Sequence, residues 1–389
     1  MGSFTPVTSR PEPSELVGTL FLEDGTRFDG FGFGAVVERV GEVVFTTGMV
    51  GYPESLTDPS FRGQILVFTY PLLGNYGVPP PKARDRFGLP MHLESPSVQV
   101  RAMVVRGLTR PHHWGQGARL EEWLEAEGVP GIGGIDTRRL TEHLRSRGVL
   151  RGVVRVDLPG HRATSASLAR SIRRAPQYQD EPLVPEVSPR RPALIAPSNG
   201  PLVALLDGGV KASIIRALLE RDLSVLRLPH DHEVPVKWEG RKVRGLLVGN
   251  GPGDPAQLAP TIEELGRPSN RDLPTLGICL GQQLLALARG GETYKLKFGH
   301  RGQNKTVLFP KGRALIVSEN HGYAVSATSL ERTGLEVWAT NPDDGTVEGL
   351  RDPRGRVLAL QGHPEGHPGP QEAGFVFDQF AQRVRKRSE

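Results

Sequence analysis

The chain has 389 residues, Lys+Arg 48 against Asp+Glu 43 for a formal net charge of +5, and 37% hydrophobic residues. This length predicts two domains, and the composition is that of a folded, soluble, loop-rich globular protein, with Gly 48 and Pro 34. No stretch approaches the roughly 20 apolar residues of a membrane span, and acidic and basic residues interleave, so neither a membrane nor a nucleic-acid partner is expected.

The start, Met1–Pro13, has no apolar run of signal-peptide type, and Pro6 stands where a myristoylated Gly2 needs Ser or Thr. Thr19–Leu22 and Arg27–Phe33 flank Glu23-Asp24-Gly25-Thr26, a hairpin signal. Glu42–Thr46 and Gln64–Thr69 read as strands around the Gly-rich loop Thr47–Pro53. Leu120–Glu127 reads as a helix, and a second opens near Asp136-Thr137, with Leu140 and Leu144 four apart. From Asp157 to Gly200, Pro, Arg and Ser accumulate and periodicity weakens. Pro185, Pro189, Pro192, Pro197 and Pro201 argue against a regular helix or strand there, so 176–200 is assigned as a linker between domains 1–175 and 201–389.

Beyond it the pattern is α/β. Leu202–Leu206, Lys211–Arg221 and Val225–Leu228 form a βαβ unit with parallel pairing. Val243–Val248 is a buried strand ending in Gly249–Pro255. Thr275–Ile278 runs into Cys279, followed by a helix over Gln282–Arg289. Strands follow at 305–309, 313–317, 335–339, 346–350 and 356–360. A final helix spans Gln371–Arg387, whose basic residues Arg383, Arg385, Lys386 and Arg387 suit a helix C-terminus.

Cys279 is the single cysteine, so no internal disulfide forms and a reducing, cytoplasmic setting is expected. It lies between Gly277 and Gly281 where a buried strand meets a helix, the spacing of a nucleophile elbow. The glycines permit a tight turn, and a helix N-terminus favours the thiolate. A lone Cys in an apolar run is also a common inert core residue. Leu358–Leu360 is a second strand running into Gln361-Gly362-His363-Pro364-Glu365. A thiol nucleophile needs a His base and a group to orient it, and His363 with Glu365 supplies both. His363 is alternatively a capped loop residue, or a metal ligand with Glu365 and His367. Gly249–Pro255 is a plain turn or a source of oxyanion-binding N–H groups. Asn320-His321-Gly322-Tyr323, placed between strands, offers an amide and backbone groups to a polar substrate.

Gly249-Asn250-Gly251-Pro252-Gly253-Asp254-Pro255, the Gly277–Gly281 elbow with Gln283, and Gly362-His363-Pro364-Glu365 together resemble a class I (triad) glutamine amidotransferase. The front half carries Leu22–Thr26, Gly41–Tyr52, Leu56–Ser60, Thr69-Tyr70-Pro71 and Ile135–Leu140; these resemble the N-terminal domain of the carbamoyl phosphate synthetase small subunit, as do Lys297–Gly302 and Asn320–Val325. The resemblance implies an open, mostly parallel C-terminal sheet flanked by helices, and a β-rich α+β N-terminal domain.

It further implies that Cys279 attacks glutamine, His363 transfers protons and Glu365 orients His363. The N–H groups of Gly253 and Leu280 are then oxyanion donors. Gly48, Gly251, Gln283, Asn320, Gly322 and Tyr323 line the glutamine site. Ammonia passes to a large subunit that makes carbamoyl phosphate from bicarbonate and ATP, for arginine and pyrimidine synthesis. No cofactor or metal is implied in this chain; ATP and Mg belong to the large subunit. Three residues depart from the family pattern: Gln282 where His is common, Glu319 where Gln is expected, and Gly48 in place of Ser. Two other readings are a glutaminase serving a different synthetase and a non-catalytic glutamine-sensing subunit.

Overall fold

The computed structural model describes residues 15–113, 115 and 117–386, so the readings placed on Met1–Pro13, Gly2 and Arg387 lie outside the described residues. Seven strands of the front half close into a barrel: β1 (Val17–Leu22), β2 (Arg27–Gly34), β3 (Glu38–Thr46), β4 (Gln64–Phe68), β5 (Ala102–Val104), β6 (Pro130–Gly133) and β7 (Leu150–Asp157). β1 pairs with both β2 and β7, and the order runs β1-β2-β6-β5-β4-β3-β7. The expected hairpin forms, with Gly25 at φ 91° in its turn.

Closure was not foreseen, because β5 is short and β6 reads Pro-Gly-Ile-Gly. Those glycines have a packing reason: a Cβ on Gly131 or Gly133 would lie 2.2 or 2.1 Å from the ring of Phe33 or Phe31. The two predicted helices form as Leu120–Ala126 and Thr137–Arg147, the latter capped by Asp136, whose carboxylate accepts from the Arg139 N–H at 3.0 Å.

The 157–200 segment is more ordered than its composition suggests. A helix at Ser165–Arg174 buries Leu168 and Ile172, one turn apart, against Phe21 and Val153. A short helix occupies Leu183–Val187, and β8 (Ala193–Ile195) adds an edge strand to the second sheet. Pro185 lies in the first turn of its helix, where no backbone N–H is required, and Pro192 precedes its strand.

That second sheet has eleven strands: β8, then β9 (Leu202–Asp207), β10 (Ser224–Pro229), β11 (Lys237–Trp238), β12 (Arg241–Val248), β13 (Thr275–Ile278), β14 (Thr293–Leu308), β15 (Ala314–Val325), β16 (Glu336–Thr340), β17 (Val347–Arg351) and β18 (Val357–Leu360). Their order is β15-β14-β16-β17-β18-β13-β12-β9-β10-β8, with β11 on β12. Only the central run β10-β9-β12-β13-β18 is parallel; every other pairing is antiparallel. The sheet is therefore mixed rather than mostly parallel.

Successive residues of the central strands point to opposite faces. Leu205, Leu247, Leu276 and Leu358 share a core with Ile214, Phe377 and Phe380, under the helices Ala212–Leu219 and Phe375–Lys386. Leu206, Leu246, Val248 and Ala359 face Leu265 and Leu284, under Ala259–Gly266 and Leu280–Leu287. β14 and β15 together form a long hairpin of which the sequence disclosed only the distal halves. Asn320–Tyr323, expected between strands, lies within β15.

Candidate active site

β13 ends at Ile278, and the next residue, Cys279, adopts φ 54° and ψ −108° before the helix Leu280–Leu287 begins. A non-glycine residue held there costs about 1–3 kcal/mol, which the surrounding packing must offset. The flanking glycines are sterically required. A Cβ on Gly281 would lie 2.0 Å from the Val248 carbonyl oxygen, and one on Gly277 2.6 Å from Leu285 Cδ1.

Strand register brings His363 to the same place. β13 lies parallel to β18 with Ile278 opposite Leu360, and the Cys279 N–H donates to the Leu360 carbonyl at 2.9 Å. The chain leaving β18 reaches His363 three residues later, whose N–H donates to the Ser318 carbonyl at 2.8 Å. His363 Nδ1 lies 2.7 Å from Glu365 Oε1. Burial alone would depress the imidazole, but the Glu365 charge and the neighbouring Cys279 thiol outweigh it and push His363 up to about 10. The Cys279 Sγ also lies 3.7 Å from the Asn320 carbonyl.

A fourth member completes this group. Lys211 Nζ donates to Glu365 Oε1 at 2.7 Å and also to the His367 carbonyl. Burial would raise the Glu365 carboxyl, yet Lys211 first and His363 second hold it well below the usual carboxylate range. Burial likewise opposes the Lys211 charge, and Glu365, Glu94 and Asp58 together raise its pKa. The sequence reading missed Lys211. Its signal was Gly208-Gly209-Val210-Lys211, one more loop at the carboxyl end of a parallel strand, β9.

A cavity beside Cys279 is lined by Gly251, Gly253, Gln283, Asn320, Gly322 and Tyr323, and also by Glu42, Ser60, Tyr178, Lys295 and Arg301. Leu280 opens the helix and its side chain packs in the core, leaving its backbone to the site. Gly48 lies outside this lining, where a Cβ would be 2.9 Å from Gln303 Nε2. The front domain reaches the cavity through Ser60 and Glu42 instead. Lys295 Nζ is 2.7 Å from Glu42 Oε1. Gln283 Nε2 donates to the Tyr323 carbonyl at 2.8 Å and to Gln361 Oε1 at 3.0 Å, which fixes the amide.

Two further residues were not anticipated. Tyr178, in the segment assigned as a linker, accepts the Gly253 N–H on its hydroxyl at 3.1 Å. Asp58 of the front domain accepts from Asn320 Nδ2 at 3.1 Å and lies 3.4 Å from Asn250 Nδ2, while Asn250 Nδ2 donates to Ser60 Oγ at 2.8 Å. Among the described residues no helix is long and apolar enough to cross a membrane.

Residues 20–154 match the family model for the carbamoyl-phosphate synthase small chain, CPSase domain, and residues 204–383 match that for class-I glutamine amidotransferases. The carbamoyl phosphate synthase small chain of Pyrococcus furiosus is 44% identical over 375 residues, covering 95% of this chain and 98% of that one. That of Methanopyrus kandleri is 42% identical, covering 94% and 99%. The arginine-specific small chain of Debaryomyces hansenii is 38% identical, covering 99% and 88%. The chain belongs to the carbamoyl phosphate synthase small chain family. Both halves of this family's architecture are present, and the mixed sheet with its elbow is the class I amidotransferase half.

Proposed function

We propose that this chain is the glutamine-hydrolysing subunit of a carbamoyl phosphate synthase and that Cys279, His363 and Glu365 perform the hydrolysis. The cavity suits the substrate: Glu42 with Lys295 and Arg301 presents both signs of charge to the zwitterionic end of an amino acid. The Cys279 sulfur, as the thiolate left once its proton is on His363, attacks the side-chain amide carbon and a C–S bond forms. His363 donates that proton to the departing nitrogen as the C–N bond breaks, releasing ammonia. The resulting neutral imidazole takes a proton from water, which attacks the thioester; the C–S bond breaks, the thiolate is restored beside protonated His363, and glutamate leaves. Glu365 keeps the imidazole oriented, and Lys211 keeps Glu365 ionised. Ammonia then passes to a large subunit that handles ATP, Mg2+ and bicarbonate, and the carbamoyl phosphate formed feeds arginine and pyrimidine synthesis.

The observation that carries this reading is the β13–β18 register, which delivers Cys279 and His363 to the same edge of the sheet, with Glu365 bonded to the imidazole. The test is Cys279→Ser in the complex with the large subunit. Glutamine-dependent carbamoyl phosphate formation should vanish while formation from added ammonia persists. Survival of the glutamine-dependent rate would remove the thiol from the mechanism.

A further inference from the structure

A second group of titratable side chains lies beside Asn320, and one of its members, His321, also lines the cavity next to Cys279. His300 on β14, Glu319 and His321 on β15, and Glu348 on β17 converge, with one ligand atom from each within 4.8 Å of the others. Their side chains are 10%, 0%, 2% and 0% exposed. Strand geometry explains the convergence: His300 is the register partner of His321, and Glu319 and His321 share one face of β15.

The outer hydrogen bonds of the two imidazoles decide what they present inward. His321 Nδ1 lies 2.9 Å from the Tyr323 carbonyl, an acceptor, so it carries the proton and Nε2 turns a lone pair inward. His300 lies between two carboxylates: Nε2 is 2.9 Å from Asp344 Oδ2, so a neutral ring turns its Nδ1 lone pair inward, while burial is outweighed by the Glu319 and Asp344 charges, which raise its pKa when no ion is present. Each inner nitrogen meets a carboxylate. His300 Nδ1 is 3.3 Å from Glu319 Oε2 and 3.9 Å from Glu348 Oε1, and His321 Nε2 is 3.5 Å from Glu319 Oε2. None of these approaches closes as a hydrogen bond: His300 Nδ1, His321 Nε2, both oxygens of Glu319 and Oε2 of Glu348 are buried without a partner. Neutral rings would thus set two lone pairs against two carboxylates with no donor between them, an arrangement that is costly unless a metal ion or protons complete it.

We propose that His300, Glu319, His321 and Glu348 form a binding site for a divalent transition-metal ion of the Zn2+ type. The donor set of two imidazoles and two carboxylates is one Zn2+ accepts. Two negative charges and two neutral rings balance a doubly charged ion. Zn–N and Zn–O bonds of roughly 2.0–2.1 Å place tetrahedral ligand atoms about 3.3–3.4 Å apart, and the His300–Glu319 and His321–Glu319 separations are 3.3 and 3.5 Å. Each imidazole gives its other nitrogen to a carbonyl or carboxylate, as metal-bound histidines do. Four protein ligands make it a closed, structural site. It ties β14, β15 and β17 together beside Asn320, whose carbonyl is the neighbour of Cys279 Sγ. The sequence reading expected no metal, because these four residues are scattered over some 50 positions and only the sheet unites them.

The alternative occupant is a proton. Burial, then the Glu319 charge, drives Glu348 well above the usual carboxylate range, and the Glu319 and Asp344 charges raise His300 against its burial, so protons on these two groups are what an ion-free cluster holds. The experiment uses the full chain, stripped with chelator and then titrated with Zn2+ or Co2+. Elemental analysis after gel filtration should find close to one Zn2+ per chain. Co2+ should give the intense visible absorption of a tetrahedral site, and Zn2+ should raise the thermal midpoint by several degrees. Glu319→Gln should abolish all three effects while melting, in chelator, no lower than the stripped parent. Failure of the parent chain to retain Zn2+, or no change in its melting on Zn2+ addition, leaves the proton as the occupant and overturns the proposal. A Co2+ spectrum that persists in Glu319→Gln overturns it as well, by placing the ion elsewhere.

Discussion

Two buried clusters flank Cys279, both built from histidine and glutamate, and they differ in one respect. In the first, Lys211, Glu365 and His363 alternate in sign, and successive members are joined by bonds of 2.7 Å. In the second, two glutamates face two imidazoles with no lysine or arginine among them. Lys211 makes the difference. A buried carboxylate–imidazole pair with its own ammonium is electrostatically complete, while one without it must recruit a cation. The first cluster can therefore be rigid with nothing added.

Two variants test that contrast from the side of the first cluster. Glu365→Ala should have the larger effect, lowering glutamine-dependent kcat by about 10³–10⁴-fold, the scale for losing the group that orients a catalytic His. The loss should still be smaller than in Cys279→Ser, and equal losses would deny Glu365 a purely orienting role. Lys211→Met converts the complete cluster into one resembling the second. Breaking a buried pair typically costs about 3–5 kcal/mol, read as a fall in thermal midpoint. The pH dependence has a definite sign. Glu365 is depressed in the folded state, so its contribution is present above the unfolded value of about 4.3 and is lost as pH falls below it. Without Lys211 the folded value rises, that contribution shrinks, and acid unfolding should begin at higher pH than in the parent. An unshifted acid limb would mean Lys211 does not hold Glu365.

The smallest change lies outside both clusters. Tyr178→Phe removes the hydroxyl that occupies the Gly253 N–H, a bond worth about 0.5–1.5 kcal/mol. The KM for glutamine should fall by about two- to tenfold, with kcat within a factor of two. An unchanged KM would mean that glutamine does not compete with the tyrosine for that donor.

The catalytic cluster was legible where its chemistry is local in sequence. Gly277–Gly281 specifies a turn, and His363 and Glu365 are two residues apart after a visible strand. The parallel strands were legible as apolar runs, and the Asp136 cap by its residue type. The barrel closure was hidden in β5 and β6, too short and too glycine-rich to show period-two patterning. β15 was only half visible because Ser318, Glu319, Asn320 and His321 are polar on both faces of the strand, which hides its period of two. Tyr178 had no sequence signal of its own, and Asp58 stood in the Leu56–Ser60 motif with no role attached, since each acts on residues more than 70 positions away. Gly48 came from the resemblance of Gly41–Tyr52 to a family motif; the cavity lining does not include it and does include Ser60 of the same domain.

Asp58 has one more consequence. Its single carboxylate lies against the Asn250 and Asn320 side chains, on loop and strand from opposite sides of the hydrolytic centre. A chain cut at the boundary near residue 200 would keep every reacting atom, yet strand two interior amides without their shared acceptor. The barrel is in this sense a missing wall of the amidotransferase, and any force that tilts it arrives at the sulfur's immediate neighbour through one side chain.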